Sequence, residues 1–237
     1  MEGRPFPERV ARLGEYFSPA EPVGCGWRPL TELLDDDALA DVAEATRCAM
    51  AGYAGTAVAD VPARVATSSL QLSIASRLLS PLVGCFATGA GVPLLTADVL
   101  RWRRVAHTVH FAVDAGDWAD TLDSAVAAEA IDVSLLSTVL EPLIDKLHSA
   151  TALSRTVMWG NVISAAHGAV TVMGLADTGL VPAGTDLVRS MALRPRLRGT
   201  ATMSASGFRR RTCCLFYLAP NGGLCGDCVL HDAPGSH

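Results

Sequence analysis

A mainly helical body, interrupted by a short β-hairpin and closed by a small cysteine-rich segment, is the architecture that this 237-residue sequence predicts. Three observations carry it. Long alanine- and leucine-rich stretches repeat apolar residues at helical spacing. One stretch, VLRWRRVAHTVHFAV (99–113), instead roughly alternates apolar and polar residues and gathers β-branched and aromatic side chains. After Pro195 the chain turns rich in Gly, Arg and Cys and loses its helical signal.

Taken in order, Pro7–Phe17 and Asp35–Met50 read as helices, the second opened by the acidic cluster LLDDDALADVAEA, which suits a helix N-terminus. Asp60 followed by Pro62 marks the start of a third helix, VPARVATSSLQLSIASRLL, which Pro81 is expected to bend or end, with a further piece through Cys85. The alternating stretch 99–113 reads as a strand or hairpin. Helical period then resumes over Ala119–Glu129, Val133–Ala152 and Leu153–Leu175, with a shorter helix near Asp186–Ala192. The turn-forming APNGG lets the last segment fold back on itself, and the polar tail after Leu230 is expected to fray. The division that follows is 1–60, an unassigned helical segment; 61–198, a helical body that binds substrate; and 199–237, a cysteine-rich appendage.

Half of the residues are apolar, enough to fill a sizeable core without disulfides. A net charge of -5 argues against a nucleic-acid binder. The N-terminal MEGRPFPERVARLGEYF lacks the apolar core of a secretory signal, so the expected compartment is the cytosol. Two uncharged stretches, 78–97 and 156–176, approach membrane-spanning length, but their prolines, glycines, Asn161, Ser164 and His167 favour buried core helices over transmembrane segments. Peripheral membrane association stays open.

Seven cysteines in such a chain are not expected to form structural disulfides. Cys25, Cys48 and Cys85 lie in apolar or small-residue surroundings and read as small hydrophobes. The other four, Cys213, Cys214, Cys225 and Cys228, fall in the pattern C-C-x10-C-x2-C and should share one site. The C-x2-C knuckle lets two sulfurs face one metal. Neighbouring Cys213 and Cys214 can do so only where the backbone bends, because successive strand residues point to opposite faces. Four thiolates suit a structural zinc ion as well as an iron-sulfur cluster. A vicinal pair in place of a second knuckle, and a two-iron centre's tolerance of uneven ligands, favour the cluster.

The stretch RRRTCCLFYLAPNGGLCGDCVL resembles the C-terminal signature of the FhuF-type ferric-siderophore reductases. IASRLLSPLVGCFATGAGVPLL is similar to that family's arginine-bearing helix before a glycine turn, and MWGNVISAAHGAV to its Trp-Gly-Asn helix, so the likeness spans roughly Ala63 to Leu230. The resemblance implies a cytosolic protein with one 2Fe-2S cluster on Cys213, Cys214, Cys225 and Cys228, which passes one electron to chelated Fe(III). Its substrate would be an imported ferric siderophore, hydroxamate types favoured. Residues 1 to about 60 match nothing in that family.

Arg209, Arg210 and Arg211 abut the first cysteine pair. They would stabilise an anionic reduced cluster or dock an acidic electron donor, unless they form a solvated basic turn. Trp159, Asn161 and Ser164 recur along one helix and offer an aromatic face and hydrogen-bond donors to a chelate, although packed structural roles suit them as well. His107 and His110, with Trp102, Arg103 and Arg104, could line a cleft, but the two histidines point apart in a strand and should not share a metal. No nucleotide-binding motif appears, so electrons must come from a partner such as a ferredoxin or a flavin-dependent reductase. Two other readings fit the same residues: a zinc-stabilised binding module, and a 2Fe-2S electron carrier or redox sensor with no siderophore substrate. A siderophore-synthesis enzyme is disfavoured by the missing nucleotide motif.

Overall fold

The structure is a computed structural model that describes residues 4–114, 116–204 and 207–232. It is mainly helical, with small β-sheets and a C-terminal cysteine segment. In chain order the elements are α1 (Glu8–Ala11), β1 (Arg28–Pro29), α2 (Asp36–Ala54), α3 (Ala63–Ala87), β2 (Val92–Pro93), β3 (Leu100–Val105), β4 (Thr108–Val113), β5 (Trp118–Ala119), α4 (Ser124–Ile131), α5 (Glu141–Thr151), α6 (Arg155–Ala176), α7 (Val181–Ala192), β6 (Ala201–Ser204) and β7 (Gly207–Arg210). The tail expected to fray lies, from residue 233 onward, outside the described residues.

The centre of the molecule is α3. From Leu78 to Phe86 every residue of this helix is buried, including Ser80 and Pro81. Pro81 therefore does not end the helix as expected: it runs on to Ala87, because enclosure of this apolar turn outweighs the roughly 3 kcal/mol that an interior proline costs. Helix α6 makes the most extensive helix packing with α3, and α2, α5 and α7 complete the bundle around it. Val10, Phe17, Leu30 and Leu33 from the first 60 residues enter the same core as α3 and α6.

The expected first helix is broken. Only Glu8–Ala11 is α-helical, Gly14 adopts a φ of 142°, and Glu15–Phe17 forms a single 3-10 turn that carries Phe17 into the core. Helix α2 closes at Gly55, whose left-handed φ of 67° brings Thr56 N–H onto Ala51 C=O at 3.0 Å. The two helices expected over 119–152 form one continuous helical run from Ser124 to Thr151, with a π-helical stretch over Asp132–Leu140. There Asp132 is buried against Arg194 and Arg196.

The expected hairpin is β3–β4, paired Trp102 to Phe111 and Arg103 to His110, with β1 on its outer edge. A second hairpin, β6–β7, pairs Ala201 with Arg210 and leads into the cysteine segment. Among the described residues, α3 is the one helix long and apolar enough to cross a membrane, and 72% of its apolar window is buried inside the protein. The uncharged stretch 78–97 is not a single helix, since the chain turns after Ala87 at Gly89. Cys85 is buried, and its enclosure pushes the thiol up to about 12. Cys25 and Cys48 are exposed, contrary to the expectation of small buried side chains.

Candidate metal centre

The cysteine segment docks where α3 and α6 pack together. On α6, Gly160 leaves room for Thr212: a Cβ at position 160 would lie 2.1 Å from Thr212 Oγ1. The next residue, Asn161, is fully buried, and its Oδ1 accepts a 2.6 Å hydrogen bond from Arg210 Nη2. Its amide donates to Gln71 Oε1 at 2.8 Å and to the Ser68 backbone carbonyl and hydroxyl on α3. Ser68 in turn donates to the Cys214 carbonyl at 2.8 Å. One side chain thus ties both core helices to the strand that precedes the cysteines.

These contacts revise several expectations. Asn161 cannot present donors to a chelate, because it is fully buried and its amide is committed. The three arginines form no solvated basic turn. Strand alternation buries Arg210 at 1% exposure, while Arg209 Nη1 caps the Cys228 carbonyl at 3.2 Å. Arg211 is the exposed one of the three. Trp159 is half-buried against the core. Ser164 donates a 2.5 Å hydrogen bond to Asp227, inside the C-x2-C knuckle.

The bend that the vicinal pair needs is present. Leu215 takes a left-handed φ of 69°, and its N–H turns back onto Cys213 Sγ at 3.3 Å. Cys228 N–H bonds to the Cys225 carbonyl at 3.0 Å and closes the knuckle, and Leu230 N–H reaches Cys228 Sγ at 3.4 Å. The APNGG turn returns the chain, with Asn221 at a φ of 58° and its amide on the Ala54 carbonyl at the end of α2. The two pairs meet: Cys214 and Cys225 sulfurs lie 3.7 Å apart and share a hydrogen bond.

The donor chemistry suits an anionic thiolate centre. Two sulfurs at 3.7 Å match the spacing of about 3.8 Å that tetrahedral ligands at about 2.3 Å from a metal would have. The hydrogen bond shared with Cys225, the Phe216 N–H and the Arg210 guanidinium hold Cys214 down to about 6. Its partner Cys225 is pushed up by that shared proton, by burial and by Asp227. Burial also raises Cys213, against the Leu215 N–H and Arg210. Among the described residues no three His, Cys, Asp or Glu side chains are drawn in tightly enough to enclose one ion.

The family model of the FhuF 2Fe-2S C-terminal domain matches residues 210–230. Over these residues the chain is similar to the FhuF-type 2Fe-2S domain. The FhuF-type match starts at the buried Arg210 and takes in all four cysteines, together with Thr212 and Asp227. No curated protein matches the chain. Thus the iron-sulfur character of the segment rests on the FhuF-type match and on the clustered cysteines.

Sequence reasoning passed over Asp227, Thr212, Ser68 and Gln71. The first two sit inside the cysteine motif and were legible as its neighbours. Ser68 and Gln71 are three residues apart on a helix, hence on one face, but nothing in the chain says that this face meets the cysteines. The other proposed cleft is half present. Trp102, Arg103 and Arg104 line a cavity of about 480 Å³ with Arg28 and Asp41, while His107 lies against Tyr53 and His110 pairs across from Arg103.

Proposed function

We propose that this chain is a cytosolic ferric-siderophore reductase, in which Cys213, Cys214, Cys225 and Cys228 hold one 2Fe-2S cluster. The observation that carries the reading is the convergence of Cys214 and Cys225, ligand-spaced and surrounded by backbone N–H groups and Arg210, in a segment of FhuF type. A cluster held there supplies a one-electron carrier. The residues around it set its environment: the Leu215 and Leu230 N–H groups bond to sulfur, and Arg210 places a buried positive charge beside the ligands, all of which favour added negative charge. The substrate is Fe(III) held by hard oxygen donors. Gain of one electron from the external donor, delivered through the protein, leaves Fe(II), which anionic oxygens hold less tightly. A ferredoxin or flavin-dependent reductase is the class of donor, since no nucleotide motif is present.

The test is anaerobic purification followed by visible spectroscopy, reduction with dithionite, and addition of a ferric hydroxamate with a ferrous-iron trap. A brown protein that bleaches on reduction and is reoxidised as ferrous iron accumulates bears the proposal out. A colourless zinc protein would overturn it. A cluster that cycles but never releases iron leaves an electron carrier or sensor instead.

A further inference from the structure

The four cysteines are unequally covered. Cys214 and Cys228 are buried, whereas Cys213 and Cys225 are half-buried, so a centre held by all four comes closest to solvent through the second two. The turns that carry these ligands also expose large apolar side chains: Phe216 at 43%, Tyr217 at 46% and Leu224 at 39%. The chain has six phenylalanines, and the other five are buried or half-buried. Gly222 joins the two turns, because it packs so closely on the Phe216 carbonyl that a Cβ there would lie 2.1 Å from the oxygen. Single exposed apolar residues are ordinary on a surface, but three on adjoining turns make a patch.

The charge around this patch runs against that of the chain. Although the whole sequence carries a net charge of -5, residues 199–230 hold three arginines and one acidic residue, Asp227. Arg209 caps the Cys228 carbonyl and Arg210 is buried beside Cys214, so the negative charge of a thiolate centre offsets these two. Arg211 is exposed, two residues before Cys213. Arg64 is exposed on α3 one turn before Ser68, whose hydroxyl holds the Cys214 carbonyl, and so shares the helix face that meets the cysteine loop. The acidic groups of these stretches are committed: Asp227 accepts from Ser164, and Asp60 accepts from the Ala57 N–H at 3.1 Å.

We propose that Phe216, Tyr217 and Leu224, rimmed by Arg64 and Arg211, are the docking surface of the electron donor, and that this donor is a small acidic carrier protein. This rests on the reductase reading above. One electron leaves the carrier's reduced centre, which is thereby oxidised, and converts one Fe(III) of the cluster to Fe(II), with no covalent bond made or broken. The carrier must approach the ligands closely and leave after each transfer, which calls for a small interface with an apolar centre and a charged rim. Opposite charge at that rim speeds the encounter. Apolar side chains that stand out from turns suit the face of a protein, whereas a small chelate needs a concave site.

The probe is a plant-type 2Fe-2S ferredoxin, a small acidic carrier. Calorimetry measures binding of its oxidised form to the cluster-loaded protein, and stopped flow compares reduction of the cluster by reduced ferredoxin with reduction by dithionite. Tyr217→Glu and Leu224→Glu put like charge at the centre of the patch. Arg64→Glu does so at the rim, on a helix rather than in the ligand turns, and guards against a failure of cluster assembly. Each variant should lose about tenfold or more in ferredoxin binding and in the ferredoxin rate, while the dithionite rate changes by less than about twofold. The wild-type ferredoxin rate should fall about tenfold between about 50 and about 500 mM salt. Absence of ferredoxin binding to the wild-type protein, wild-type behaviour of all three variants, or a ferredoxin rate indifferent to salt would overturn the docking surface. So would variants that keep ferredoxin binding and lose reoxidation by a ferric hydroxamate, since the patch would then seat the chelate. Ferredoxin docking that the variants abolish, in a protein that reduces no ferric chelate, upholds the surface and removes the reductase reading alone.

Discussion

Between Ala63 and Ala192 the chain buries Leu, Ile, Val and Met on nearly every helical turn, whereas among the described residues from Gly199 to Leu230 the buried side chains are Thr200, Arg210, Cys214, Ala219 and Cys228. The first region draws its stability from apolar area removed from water. The second removes less, through the partly buried Met203, Phe208 and Leu215, and directional bonds add to it: Arg210 to Asn161, Ser68 to the Cys214 carbonyl, Ser164 to Asp227 and Asn221 to the Ala54 carbonyl. Such a segment can be undocked by changes that leave the helical core intact. In the apolar body, by contrast, damage spreads through the packing.

The largest test of this contrast is Asn161→Leu. It strands the Arg210 guanidinium in a buried site without its acceptor, and a hydrogen bond to a charged group contributes about 1.5–3 kcal/mol. We expect urea denaturation to show that loss, and the cluster to leave well before the helical circular dichroism falls. Adding Arg210→Met should recover most of the stability, because an apolar pair of similar size needs no partner. Coincident loss of helix and cluster in the single variant would show that the two regions are one cooperative unit.

A smaller effect is expected from Gly160→Ala, which forces the new methyl against Thr212 Oγ1 and should cost about 1–3 kcal/mol as overpacking. Thr212→Ala removes the obstructing atom. Because Thr212 Oγ1 is buried and makes no hydrogen bond, that second change should restore docking rather than add damage. Cluster absorbance against urea concentration reads both variants, and failure of the rescue would place the glycine's role elsewhere.

The smallest is a pH effect through His167, whose ring stacks on Phe208 of β7 with centroids 4.2 Å apart. Burial holds its pKa below the ordinary value of 6.5, against the pull of Asp227. The folded state thus favours the neutral ring. Its contribution is complete above the unfolded pKa and is lost as pH falls through the lower folded value. Docking should weaken between about pH 7 and about pH 5, and His167→Gln should flatten that slope in the urea midpoint.

Much of this was legible in the chain and some of it was not. The hairpin over 99–113 and the helices α2, α6 and α7 follow from period and composition, because each presents an apolar pattern to a core that any partner could complete. Of the two outcomes expected at Pro81, a bend or an end, the helix does not end there, because the proline's cost is local and the burial that overrides it is not. For Asn161 the chain left a chelate donor and a packed structural amide both open for the same reason, and the strand that covers it decides for the second. The three arginines are consecutive in sequence but sit in a strand, where alternation sends Arg210 into the core and leaves Arg211 in water.

The sequence by itself determined the chemistry of the cysteine segment, since C-C-x10-C-x2-C and its turn residues bring two thiol pairs together through contacts of short range. Only the tertiary structure decided which helical faces receive that segment and what Gly160 and Asn161 are for. Thiol spacing is a local property of the chain, whereas docking depends on partners 49 to 167 residues away in sequence.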